Sequence, residues 1–132
     1  FLMFVALTIN DMNFQLTEEQ LMIQQAARDF AQNELLPGVI ERDDLQKFPA
    51  EQIKKMGELG FMGLMVDPKY GGAGMDTISY CLVMEELSKV DASASVMVSV
   101  NNSLVCWGLE RFGNEQQKQK MCDLSASFLI GS

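Results

Sequence analysis

From Ala92 to Leu109 the chain carries no charged side chain, although 10 Lys and Arg and 18 Asp and Glu are spread over its 132 residues. So long a stretch without charge is expected to be withdrawn from water, as a helix covered on every side by other helices. Asp91 stands where it can cap the start, and Glu110 and Arg111 close the run. On a helical count Val96, Val100, Leu104 and Trp107 share one stripe, and Ser95, Ser99 and Ser103 lie on the stripe beside it. Short hydroxyl side chains let a neighbouring backbone or a thin ligand come close, and each can bond to a carbonyl one turn back. Plain core packing and a pocket wall both fit such a stripe. A bilayer span of about 18 residues at about 1.5 Å each is just long enough. Asn101, Asn102 and the interrupting serines argue against it.

The length predicts one domain with an extensive core, since 48% of the residues are apolar. A formal charge of −8 and a pI near 4.4 exclude a phosphate-neutralising surface, and with it nucleic acid as a partner. The basic clusters, Lys54 with Lys55 and Lys118 with Lys120, read as solvated helix faces. The chain has no histidine, which removes the commonest general base and most metal sites together. Cys81, Cys106 and Cys122 lack metal or redox spacing and read as small buried hydrophobes in a reducing compartment. Residues 1–11 are apolar but have neither a basic leader nor a small-residue cleavage site. Met12 is a candidate start, so that extension is set aside from the fold.

Helical signals begin at Thr17, which forms a capping box with Gln20. Leu21, Ile23, Ala27, Phe30, Ala31 and Leu35 then supply an apolar face until Pro37 and Gly38 stop it. A short helix is expected from Val39 to about Leu45. Another follows Pro49, placed at its first position, with Ile53, Met56 and Leu59 facing inward and Gly60 ending it. Phe61 to Gly74 is the one long non-helical segment, turned by Asp67, Pro68, Gly71 and Gly72. Asp76 caps the next helix, which carries Tyr80, Val83, Met84 and Leu87 to about Val90. After the uncharged helix, Asn114 and Gln117 cap a last one reaching about Leu124. No convincing strand appears, so the fold class is all-α, a bundle of five or six helices over residues 12–126. Residues 127–132 turn apolar and strand-like, as the start of a following β domain would.

Several segments, taken in order, resemble the N-terminal helical domain of the acyl-CoA dehydrogenases. They are Leu16 to Gln20, Ala27 to Ala31, Gly57 to Gly63, Tyr70 to Gly74, Met84 to Leu87, Asn102 to Leu104 and Glu115 to Lys120. The region from Ser95 to Leu104 is most similar to the short-chain, butyryl-CoA type. The resemblance implies a larger FAD-dependent enzyme, homo-oligomeric at full length, in a bacterial cytoplasm or mitochondrial matrix. It places the flavin segment and the catalytic glutamate outside this chain, so that no catalytic, cofactor-binding or metal residue is expected here. The isolated chain is therefore expected to be inactive, to hold no flavin and to expose apolar surface where other domains dock.

Removing a proton beside a thioester while hydride passes to a flavin requires a dry, narrow site. Rigid helices bearing apolar side chains can supply its walls. By the resemblance, the end of the acyl pocket falls on Val96, Val100 and Leu104, with core packing as the alternative. The resemblance also implies docking of an electron-transfer flavoprotein at an apolar hollow matched by Phe61, Ala73, Met75 and Val83, or else a core position for those residues beneath the loop. Glu85 with Glu86 and Asp43 with Asp44 are adjacent on helices and point about 100° apart, so both pairs read as solvated faces rather than acid/base dyads. Trp107 reads as a space filler. Two other readings fit these residues: the same domain of an acyl-CoA oxidase-like flavoenzyme, and a non-catalytic helical interaction module.

Overall fold

The computed structural model describes residues 14–126. The proposed start at Met12, the 1–11 extension and the strand-like 127–132 segment lie outside the described residues. Within them the chain is all helix and turn, in six helical rods. The first rod is α1 (Glu18–Phe30), continued by a wide π-helical turn at Ala31–Leu35. Then come α2 (Val39–Asp44), α3 (Ala50–Glu58) and α4 (Thr77–Ser88). The fifth rod runs unbroken from α5 (Ala92–Val100) through a second π turn (Asn101–Cys106) into α6 (Trp107–Phe112). The sixth is α7 (Glu115–Ala126), which packs beside α3, α6 and the loop after α3.

Local chemistry accounts for where most rods begin. The Thr17 hydroxyl accepts the Gln20 N–H at 3.2 Å, and the Gln20 carboxamide oxygen accepts the Thr17 N–H at 3.0 Å, which completes the capping box. Asp76 accepts the Ser79 N–H at 2.7 Å and Asp91 the Ala94 N–H at 3.0 Å. Asn114 and Gln117 exchange the same pair of bonds, both at 2.9 Å. Pro49 stands one position before the helix rather than at its first residue.

The core lies between α1, α4 and α5, with α3 and the loop after it closing one end. Gln20 donates to Asp76 at the start of α4, and Arg28 bonds to Glu86 near its end, so α1 and α4 run in the same direction. Ala27, Leu35, Met56, Leu87 and Val98 are sealed in this core. Leu21 and Leu59, expected on buried faces, are half exposed at its edge. The long loop is held by backbone bonds that make its two limbs run together: Ala73 N–H to Gly63 O at 3.0 Å, Gly74 N–H to Val66 O at 2.9 Å, Met75 N–H to Leu64 O at 2.7 Å. The limbs touch at Gly72, where a β-carbon would lie 2.1 Å from the Val66 carbonyl oxygen. No side chain fits there.

Candidate functional site

The uncharged rod is not covered on every side. Its serine face packs on α4, where Tyr80 OH donates to Ser99 Oγ at 3.0 Å and the Ser88 and Ser95 hydroxyls meet at 2.6 Å. Of the three serines, Ser103 bonds one turn back, to Ser99 O at 2.7 Å. A second face, bearing Asn101, Asn102 and Cys106, sits on the first turns of the long loop. With α4 on one side and the loop on another, and α7 beside α6 at its far end, the rod keeps one face turned outward. On it stand Val96, Val100 and Leu104, 58%, 42% and 66% exposed, followed by Val105, Trp107 and Phe112. The Trp107 and Phe112 rings meet edge to face at 6.0 Å. The stripe expected from the sequence is thus present, apolar and open, on a rod anchored to its neighbours elsewhere. Exposed apolar area of this extent on a fixed scaffold marks a surface meant to be covered.

The four residues matched to a docking hollow are not brought together at the surface. Phe61 is 1% and Val83 0% exposed. Phe61 packs edge to face on Phe30 at 6.0 Å, and Val83 points into the same core from α4. Ala73 is exposed and Met75 half buried at the rim of the loop. Phe61 and Val83 thus take the core position that the sequence left open for them, and the carbonyls of Phe61 and Met62 accept bonds from Asn102 and Asn101.

Glu86 also departs from the expected solvated face, being only 3% exposed. Its carboxylate accepts Arg28 Nε at 3.1 Å and Arg28 Nη2 at 2.9 Å, and also Lys89 Nζ and Gln24 Nε2, each at 3.1 Å. The Arg28 hydrogen bonds, helped by Lys89, outweigh desolvation and hold its pKa at about 2, against an ordinary 4.5. Glu85, Asp43 and Asp44 are exposed as expected. Cys81 is exposed rather than buried, and Cys106 is buried. The Cys122 side chain lies outside what is described.

A groove of about 540 Å³ runs between α2 and the start of α5, lined by Val39, Ile40, Phe48, Ala92 and Met97, with Arg42 at its edge. The Arg42 guanidinium is already engaged, donating to Pro37 O at 2.8 Å, to Leu35 O at 2.5 Å and to Asp91 at 3.3 Å. Its two terminal nitrogens join α2 to the ends of two rods, while its buried Nε has no partner among the described residues. Among the described residues no group of three or more metal-ligating side chains is placed to hold an ion, and no helix is long and apolar enough to cross a membrane.

Asn101 and Asn102, which interrupt the apolar run in the sequence, are both buried. Asn101 Nδ2 donates to Met62 O at 2.6 Å. Asn102 makes three bonds, to Phe61 O, Val98 O and from Leu64 N–H.

Comparison with known proteins agrees with the all-helical fold. Residues 17–127 match the family model described as acyl-CoA dehydrogenase, N-terminal domain. The chain is 45% identical over 109 residues to the short-chain specific acyl-CoA dehydrogenase of Clostridium acetobutylicum, covering 83% of this chain and 29% of that protein. It is 45% identical over 106 residues to the mitochondrial short-chain specific enzyme of Bos taurus, covering 80% of this chain and 26% of that one. Among solved structures, butyryl-CoA dehydrogenase from Megasphaera elsdenii superposes with a TM-score of 0.80 at 36% identity, over 87% of this chain and 31% of that chain. A chain from work on the electron transferring flavoprotein of Acidaminococcus fermentans superposes with a TM-score of 0.83 at 45% identity, over 87% of this chain and 30% of that chain. The chain therefore spans under a third of the length of these relatives.

Proposed function

The chain belongs to the acyl-CoA dehydrogenase family as its N-terminal domain, and from that premise we propose that Val96, Val100 and Leu104 form one wall of the acyl pocket of a short-chain enzyme. The observation that carries this reading is the open aliphatic stripe on a rod otherwise locked to its neighbours. A dehydrogenation at the α and β carbons of a thioester needs the acyl chain held straight and water kept out. Branched side chains fixed on a helix do both, because they cannot swing aside and offer no hydrogen bond to water. FAD would take the hydride, held by residues outside this chain; what these residues contribute is exclusion of water and a limit on chain length. Electrons would leave through an electron-transfer flavoprotein. Ala73 and Met75, at the loop rim, are the members of the expected hollow that remain available to such a partner; Phe61 and Val83 would support it from beneath.

Shortening Val100 is expected to deepen the pocket. In a complete enzyme carrying this domain, Val100→Ala should raise kcat/KM for hexanoyl-CoA relative to butyryl-CoA by about tenfold, the scale that one or two methylenes are worth in an apolar pocket. Steady-state kinetics on a series of acyl-CoA thioesters measures this directly. An unchanged chain-length profile would return the stripe to simple domain packing.

A further inference from the structure

The Asn102 to Leu104 segment carries family resemblance, yet Asn102 itself points away from the proposed pocket. Its side chain is sealed inside. Oδ1 accepts the Leu64 N–H at 2.8 Å, while Nδ2 donates to Phe61 O at 2.8 Å and Val98 O at 2.9 Å. Val98 is four residues back along the rod, the position whose carbonyl an α-helical residue would normally engage through its backbone. Here the side-chain amide of Asn102 reaches that same acceptor, at the start of the stretch where the helix widens into a π turn. The wide turn begins at this point, at Asn101–Cys106.

The two loop bonds fix the turn in space. Leu64, held by Asn102, accepts Met75 N–H through its own carbonyl at 2.7 Å. A single carboxamide thus ties the π turn, the loop floor and the loop rim into one hydrogen-bonded unit. Leu104 and Val105 stand on the turn so anchored, on its opposite, outward side. Adding or removing a π turn changes the rotation of the residues within it and after it, so the direction in which Leu104 faces depends on whether the turn persists.

We propose that Asn102 is a positioning residue for the acyl wall: by holding the π turn against the loop it sets the orientation of Leu104 and hence the length of acyl chain accepted. This rests on the wall assignment above. Serine at position 102 can still bond back to Val98 O but reaches neither Leu64 nor Phe61, so Asn102→Ser removes the loop anchor while leaving a polar residue in the rod.

The test uses the Clostridium acetobutylicum short-chain specific acyl-CoA dehydrogenase with its matching segment replaced by residues 17–127 of this chain. Asn102→Ser should lower the butyryl-CoA to hexanoyl-CoA ratio of kcat/KM about tenfold. Leu35→Ala, a core change remote from the wall, should lower Tm and leave that ratio unmoved. A ratio unchanged by Asn102→Ser while Val100→Ala shifts it overturns the positioning role and leaves the wall standing. Should Val100→Ala also leave it unchanged, the wall reading has failed, and amide exchange at Leu64 decides whether Asn102 anchors the loop. Exchange about tenfold faster in Asn102→Ser supports the anchor, and unaltered exchange overturns it. Asn102→Gln, which keeps the amide but displaces it by one methylene, gives the same readouts if the serine variant does not fold.

Discussion

Replacing Phe61 with alanine is expected to cost about 4 kcal/mol of folding stability, within the range for truncating a sealed aromatic. The ring is 1% exposed and meets Phe30 edge to face, so its loss opens a cavity where the loop, α1 and α3 converge. Neighbours cannot easily close that cavity, because the Phe61 carbonyl is held by Asn102 and the next one, Met62, by Asn101. Against a typical total of about 5–15 kcal/mol, a change of this size brings the domain close to unfolding. Urea denaturation of the 132-residue chain and its Phe61→Ala variant measures it. A loss below about 1 kcal/mol would mean that Phe61 is a surface residue in solution and would restore it to the docking hollow.

Acid should weaken the fold through Glu86. Arg28, hydrogen-bonded to it and aided by Lys89, keeps this carboxyl ionised in the native state down to a pH of about 2, whereas in the unfolded chain it protonates near 4.5. Above about pH 5 both states are ionised and the native one enjoys the full contribution of the cluster. As the pH falls from 4.5 toward 2 the unfolded chain binds the proton first, and the contribution drains away. The gap corresponds to about 3 kcal/mol at most; because Arg28 and Lys89 are half exposed to water, about 2 kcal/mol is expected. Urea midpoints between pH 7 and pH 2 should therefore show a limb that Glu86→Gln flattens, the variant being the less stable protein at neutral pH and nearly equal to its parent at pH 2. Parallel curves across the whole range would show that the cluster contributes nothing in solution.

What the residues disclosed on their own was governed by distance along the chain. Thr17 with Gln20, Asp76, Asp91, and Asn114 with Gln117 all work within three residues of themselves, and each cap is found where it was expected. The all-α class and the long turn-rich loop follow from the same short-range chemistry. The features that stay open or run against expectation depend on partners far away. Glu86 looks solvated until Arg28, 58 positions earlier, is folded against it. Phe61 fits a surface hollow and a core position equally until the loop is folded and Asn102, 41 positions later, donates to its carbonyl. The π turns at Ala31–Leu35 and Asn101–Cys106 leave no periodic signature in so few residues. The stripe itself was evident from spacing, but not that it would stand open, because absence of charge reports that a surface avoids water and says nothing of which polypeptide covers it.

The outward face of the fifth rod also supplies a means of watching it. Trp107 is the chain's single tryptophan, half exposed at the end of the aliphatic stripe and leaning on the still more exposed Phe112. Indole emission moves to shorter wavelength when its surroundings dry out, so this ring is a native optical gauge for whatever closes over the stripe. No label need be introduced to follow that closure in real time.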